Sequence, residues 1–389
     1  MTLSEPGSRR VIVAGRMAVA VLAVGFALAA SEATLRFFGC QLLRGQTHQS
    51  APFLAENRYW GVWHYPNHVV DHQEACFRSQ YRTNSLGMKG PEIRPGTAKI
   101  ALLGDSFVEG LGNDNDATVD RVMQRQLGDR YDVLNFGVSG GFTTVDELAL
   151  YENFARHFDP RVVVLFFVNY NDLQENLQSD QEELIEHEAP LLRPPASFEE
   201  AVAEIRRQVP GDLEKPLRKG LCLRHLYRIA ERAVRLRTQA LLHFRWDFRS
   251  ELERVYLPQE DPGITRAWEI VEAALRRLQK LVREGGATLV VVDVADPYQV
   301  DPSWLRLSSA RAGVTLDPLR PNRRLGEICR RVGILFYDQY PDAKRYIDEH
   351  GLRFPYLSYS CDRHYDNEGQ ELMGRLVVRF LRENDLIEP

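Results

Sequence analysis

The chain has 389 residues, more than one ordinary compact core holds, so two or three structural pieces are expected. Its 44% apolar and 26% charged residues exclude a mostly disordered or collagen-like chain. Lys and Arg number 49 against 54 Asp and Glu, a net charge of -5, which argues against nucleic acid as a partner, since a duplex binder carries a basic excess. The five cysteines, Cys40, Cys76, Cys222, Cys329 and Cys361, are too few and scattered for a disulfide scaffold. None forms a CxxC pair, so a structural zinc site is not expected.

Residues 11–30, VIVAGRMAVAVLAVGFALAA, are apolar apart from Arg16 and about long enough to cross a membrane as a helix. Arg9, Arg10 and Arg16 lie on the N-terminal side, where the positive-inside rule keeps them cytoplasmic. An uncleaved signal anchor is the expectation. A cleaved signal peptide ending near Ala27-Leu28-Ala29 is the alternative, and a buried soluble helix lacks the polar face it would need. The anchor predicts an inner-membrane, single-pass protein whose residues beyond 36 lie on the periplasmic side.

Residues 37–98 read as an irregular, aromatic and His-rich juxtamembrane segment. His64, His68 and His72 are spaced by four, but Pro66 breaks any helix there and the flanking residues look extended, so packing is expected rather than metal ligation. From residue 99 the pattern alternates. Apolar strands are expected at 99–103, 131–136, 161–168, 287–294 and 334–338, with helices over 118–127, 144–157, 266–284, 320–332 and from 367. Strands apolar along their whole length must be covered on both faces, so the fold class is α/β: a three-layer, doubly wound parallel sheet. Residues 181–260 interrupt the alternation with charge-rich, helical sequence, acidic first and basic later, and read as an inserted helical subdomain. Its basic face is read as solvated, with a grip on an anionic polymer or lipid headgroups as the alternative. The organisation is thus 1–36 tail and anchor, 37–98 juxtamembrane, 99–180 plus 261–389 core, and 181–260 insertion.

Chemistry is expected beyond the carboxyl ends of the strands, where open parallel sheets bind ligands. Gly104-Asp105-Ser106 follows the first core strand and offers a nucleophile. Asn135-Phe136-Gly137-Val138-Ser139-Gly140 closes the second with bare backbone N–H groups, and Asn169-Tyr170-Asn171-Asp172 closes the third with a carboxamide. Such donors at one sheet edge suit an oxyanion hole. Near the C-terminus, Asp362-Arg363-His364 places a histidine two residues after a carboxylate, ahead of the last helix, where it can serve as the base of a serine triad.

These four blocks, in this order, resemble those of the SGNH (GDSL-like) hydrolase superfamily over the sheet core, in its membrane-anchored bacterial form. The resemblance implies a flavodoxin-like core, Ser106 as nucleophile, His364 as base and Asp362 as its orienter, with the Ser106 N–H, Gly140 and Asn171 as oxyanion donors. Two positions depart from the family pattern. Asn169 stands where a glycine commonly opens the third block, and Cys361 stands three residues before His364, the commoner place for the acid. Asp362 uses a spacing that is similar to that of periplasmic polysaccharide O-acetyltransferases. Residues 81–90, YRTNSLGMKG, resemble the lead-in of membrane-anchored members.

An extracytoplasmic, membrane-tethered serine esterase is therefore expected, acting through an acyl-serine on an O-acylated envelope glycan or similar ester, with no cofactor and no metal. O-acetyl transfer by the same triad, or a non-catalytic glycan-binding scaffold, are the alternatives. The Ser106 hydroxyl should come within about 4 Å of a His364 ring nitrogen. Asp366 should cap the last helix, and Cys361 should serve packing.

Overall fold

The computed structural model describes residues 54–74, 76–176, 194–208 and 252–388, together with helical residues 19, 23 and 25–34. Most of the apolar segment 11–30 lies outside the described residues, as do 177–193 and 209–251 of the expected insertion. Among the described residues, no helix is long and apolar enough to cross a membrane.

The segment expected to be irregular holds two antiparallel strand pairs. β1 (Leu54–Asn57) pairs with β2 (Gly61–His64), and β3 (Val69–Gln73) with β4 (Arg78–Arg82). Strands of four or five residues are too short to show a clear period, which is why alternation did not reveal them. The aromatic residues explain their attachment: Trp60 and Trp63 are fully buried, and Trp60 stacks on Phe154 of the core. His64 and His72 are buried with them.

The core sheet is parallel and runs in the order β6-β5-β7-β8-β9, with β5 (Ala98–Gly104), β6 (Tyr131–Gly137), β7 (Pro160–Phe167), β8 (Thr288–Asp293) and β9 (Leu335–Asp338). Because side chains alternate along a strand, each apolar strand feeds two cores. Ala101, Leu103, Val163, Leu165, Leu289 and Val291 face one core, and Ile100, Leu102, Val164, Phe166, Val290 and Val292 the other.

Helices cover both faces. Besides residues 25–34 and a single turn at Leu252–Val255, the α-helices among the described residues are, in chain order, α1 (Ser106–Glu109), α2 (Val119–Leu127), α3 (Thr144–Asn153), α4 (Asn169–Asn176), α5 (Phe198–Arg207), α6 (Pro262–Glu284), α7 (Pro302–Ala312), α8 (Arg320–Val332), α9 (Tyr340–Glu349) and α10 (Asn367–Glu383). Side chains of α3, α6 and α8 fill the first core, and those of α2, α9 and α10 the second. α6 shows why such helices form: Asp261 caps its first turn, Pro262 opens it, and Ile264, Ala267, Trp268, Val271, Leu275 and Leu278 repeat at helical spacing on the buried side. Burying each of its large apolar side chains contributes about 1.5–3 kcal/mol.

The strand order reverses at β5: the chain passes from β5 to β6 on one side, then crosses back to β7 on the other. Gly104 sits opposite Gly137 and Leu103 opposite Leu165, so the first three core strands end side by side. That switch point is where a doubly wound sheet opens a crevice.

Candidate active site

Ser106 leaves β5 as the first residue of α1. The turn is tight: a Cβ on Gly104 would lie 2.3 Å from Val108 Cγ2, so only glycine lets the chain bend there. Asp105 caps α1, its Oδ1 accepting the Phe107 N–H at 2.8 Å. Its Oδ2 accepts from Asn171 Nδ2 at 2.7 Å, tying the block after β5 to the block after β7. The Asn171 carboxamide nitrogen carries two N–H groups, and this bond uses one of them.

His364 comes from the C-terminal turn that precedes α10. Its Nε2 lies 2.7 Å from Ser106 Oγ, inside the expected separation, and its Nδ1 meets Asp362 Oδ1. Tyr359 N–H donates to the His364 carbonyl at 2.8 Å, and Arg363, with φ of 72°, donates its N–H to the Tyr359 carbonyl, closing the turn. Phe107 packs its ring 5.2 Å from the imidazole. Asp366 caps α10 as expected, accepting from the Glu368 and Gly369 N–H groups.

Cys361 is not a simple packing residue. It forms a disulfide with Cys76, 285 residues away between β3 and β4, and so fastens the catalytic turn to the N-terminal hairpin. Phe77 reinforces the same join, its ring 4.6 Å from that of Tyr359. No spacing rule links two cysteines so far apart, so local pattern carries no sign of the pair.

Asp105, Ser106, Leu111, Ser139, Gly140, Gly141, Tyr170, Asn171, Glu175, Tyr298, Asp362 and His364 line one cleft of about 270 Å³. All five residues singled out from the sequence, Ser106, His364, Asp362, Gly140 and Asn171, therefore meet there. Gly140, at φ +95°, adopts a left-handed backbone that a side chain would strain. Asn169, the departure from the glycine pattern, turns away from the cleft: it is fully buried and donates to Asp293 Oδ1 at 2.6 Å, anchoring the start of α4 to the end of β8. The loop thus keeps Asn171 in place without the glycine.

The electrostatics favour a cationic histidine. Burial opposes protonation of His364, but the hydrogen bond and charge of Asp362, with Asp105 and Glu109 behind, outweigh it and raise its pKa above the ordinary 6.5. Burial likewise opposes ionisation of Asp362, yet the His364 contact holds its carboxyl below the usual range. Asp105 is raised by burial, against the bonds from Phe107 and Asn171. Further back, Asp172 and Glu147 are wholly buried, and burial plus neighbouring carboxylates pushes both well above the carboxylate range.

A hydroxyl, an imidazole and a carboxylate in hydrogen-bonded sequence can take a proton from the serine as it attacks a carbonyl and return it to the leaving alcohol. Asp105 and Glu109 escaped the reading of the sequence as site residues. Glu109 carried the one available signal, a lone carboxylate in the apolar turn Phe107-Val108-Glu109.

Residues 102–328, more than half of the chain, match the model of the GDSL-like Lipase/Acylhydrolase family. No curated protein sequence matches the chain. Among solved structures, it is similar to an acetylxylan esterase from Geobacillus stearothermophilus, at 16% identity over 74% of this chain and 93% of that one, with a TM-score of 0.37. It is also similar to an alpha/beta hydrolase enzyme from the metagenome of Lake Arreo, Spain (14% identity, 75% and 97% covered, TM-score 0.37). A GDSL-like lipase from Bacteroides thetaiotaomicron is a further likeness (9% identity, 74% and 88% covered, TM-score 0.34).

Proposed function

Because the chain belongs to the GDSL-like lipase/acylhydrolase family, a family of serine ester hydrolases, we propose that it removes a short acyl group from an envelope glycan or similar polar ester, outside the cytoplasm. The observation that carries this reading is the contact of Ser106 Oγ with His364 Nε2 at 2.7 Å, with Asp362 behind and Asn171 and Gly140 in the same cleft. Ser106 attacks the ester carbonyl while His364 accepts its proton. The carbonyl oxygen takes up negative charge, which the second Asn171 N–H and the Gly140 backbone N–H are placed to stabilise. His364 then protonates the departing alcohol, leaving an acyl-serine. Water, activated by the same imidazole, releases the acid.

The cleft supports a small acyl group and a polar alcohol. Its lining is mostly carboxylate, hydroxyl, carboxamide and backbone, with Leu111, Tyr170 and Tyr298 as the larger apolar surfaces. Tyrosine faces beside carboxylates suit a sugar ring better than a long acyl chain. Two features support an extracytoplasmic, membrane-tethered protein: the apolar segment 11–30 behind Arg9 and Arg10, and the Cys76–Cys361 disulfide, a bond that persists in oxidising compartments.

Transfer of the acyl group to a sugar hydroxyl is the second reading. The two-residue spacing of Asp362 and His364 resembles that of O-acetyltransferases, and an acyl-serine can be deacylated by a sugar hydroxyl in place of water. Incubating the ectodomain with an acetylated glycan, with and without an added acceptor sugar, separates the two. Free acetate in both samples supports hydrolysis; acetyl groups appearing on the acceptor support transfer. No acyl loss in either would remove the glycan from the proposal.

A further inference from the structure

The lead-in YRTNSLGMKG and the hairpins around it bring a set of polar side chains into the interior directly behind the catalytic turn. Glu109, Lys89, His64 and Tyr81 are all buried, at 0%, 3%, 1% and 2% exposure. They come from separate elements: Glu109 ends α1, His64 ends β2, Tyr81 lies on β4 and Lys89 follows it. Lys89 Nζ donates to the carbonyls of Gly110 and Asn113, at 2.7 and 2.8 Å, and lies 4.3 Å from the centre of the Tyr81 ring. His64 Nε2 is 3.4 Å from Glu109 Oε2, and the Tyr81 hydroxyl donates to Glu109 Oε1 at 3.4 Å.

The remaining partner of Glu109 belongs to the cleft. Ser139 donates its backbone N–H to Glu109 Oε2 at 2.6 Å, and Ser139 and Gly140 both line the cleft. One residue earlier, Val138 N–H donates to the Gly104 carbonyl at 3.2 Å. The approach leaves no room for slack, because a Cβ on Gly137 would lie 2.2 Å from the Glu109 nitrogen. The turn that presents the Gly140 N–H is therefore held at two successive residues, by the strand end that precedes Ser106 and by the last residue of the helix that begins with it.

We propose that Glu109, braced by His64, Tyr81 and Lys89, is a positioning residue that fixes the Ser139–Gly140 turn as an oxyanion donor by accepting the Ser139 N–H. The inference rests on Ser106 being the nucleophile. Burial opposes charge on Glu109, but His64, Lys89 and Ser139 outweigh it and hold the carboxyl at about 2, so it stays an acceptor throughout the working pH range. Burial draws Lys89 down to about 8. Buried charges of this kind are costly unless fully partnered, and apolar side chains would fill the space with less risk. What a carboxylate adds is a directional acceptor at a fixed point.

The test compares Glu109→Leu, which removes the acceptor, with Glu109→Gln, which keeps an acceptor oxygen. Each is assayed for ester turnover and for binding of a small alkyl boronic acid, which forms a tetrahedral adduct on the serine. Glu109→Leu should lower kcat about 10- to 100-fold with KM within about threefold, and weaken boronate binding by the same factor as kcat. Glu109→Gln should stay within about fivefold of the unaltered chain. A folded Glu109→Leu with unchanged kcat and boronate affinity, a loss carried by KM alone, or an equal loss in Glu109→Gln would overturn the proposal. An unaltered chain without turnover would instead overturn the Ser106 reading on which it rests. If Glu109→Leu does not fold, amide exchange at Ser139 in the unaltered chain decides: slowing of at least about a hundredfold is expected, and exchange at the unstructured rate overturns it.

Discussion

Asn171 and Asp105, 66 residues apart in sequence, are joined by a 2.7 Å hydrogen bond at the switch point of the sheet. The bond ties the Asn171 carboxamide to the turn that carries Ser106. It also gives Asp105 its side-chain donor, so loss of Asn171 acts on two groups at once.

Asn171→Ala is therefore expected to lower kcat by about 10²- to 10³-fold, the scale for one missing oxyanion donor, with a smaller change in KM. It should also cost about 1–3 kcal/mol of stability, because a buried Asp105 oxygen is left unpaired. Steady-state kinetics together with denaturant unfolding measures both. Normal kcat in a folded variant would take Asn171 out of the oxyanion hole.

Asp362→Asn removes the carboxylate that orients His364 and stabilises its cation. A fall in kcat of about two to four orders of magnitude is expected in a protein that still folds. Full activity would remove Asp362 from the triad.

The acid limb of kcat/KM follows from His364. The imidazole acts as base only when neutral, and its pKa is raised above 6.5, so activity should rise through a midpoint above pH 6.5. Asp362→Asn removes the largest raising influence, so residual activity should show a lower midpoint. Stability carries the opposite sign. A raised folded pKa stabilises the protein below the unfolded value, and that contribution is lost as pH rises through the folded one. A midpoint at or below 6.5 in the unaltered enzyme would contradict the cation-favouring site.

Much of this was legible in the sequence, and the reasons differ by element. The runs 100–103, 162–167 and 289–292 are apolar at successive positions, a pattern that only two-sided burial explains, so sheet and crevice followed directly. Ser106, Gly140, Asn171 and His364 follow strand ends or precede a helix, where local pattern marks them. Helices α1, α4, α7 and α9 were missed: α1 is a single turn, and the last two are each opened by a proline at the first or second position of a short, mixed-polarity run. The Cys76–Cys361 bond and the Glu109 cluster depend on how the N-terminal hairpins pack against the core, a long-range relation that spacing does not encode.

That disulfide carries its own prediction. It closes a loop of 285 residues around the catalytic turn, so Cys76→Ser with Cys361→Ser should lower stability by about 2–5 kcal/mol. Loosening the turn beside Asp362 should also reduce kcat, by about tenfold or more, since small misplacements of a base are costly. Thermal unfolding and turnover of the double variant check both. Unchanged turnover would show that the turn holds itself.

The central claim is an acyl-serine at Ser106, and covalent labelling tests it most directly. The protein is treated with a fluorophosphonate, residual ester turnover is followed, and the modified peptide is located by mass spectrometry. One phosphonyl group on the peptide containing Ser106, gained in step with the loss of turnover and absent from Ser106→Ala, is the predicted result. Turnover that survives in Ser106→Ala, or inactivation by a label on another residue, would contradict it.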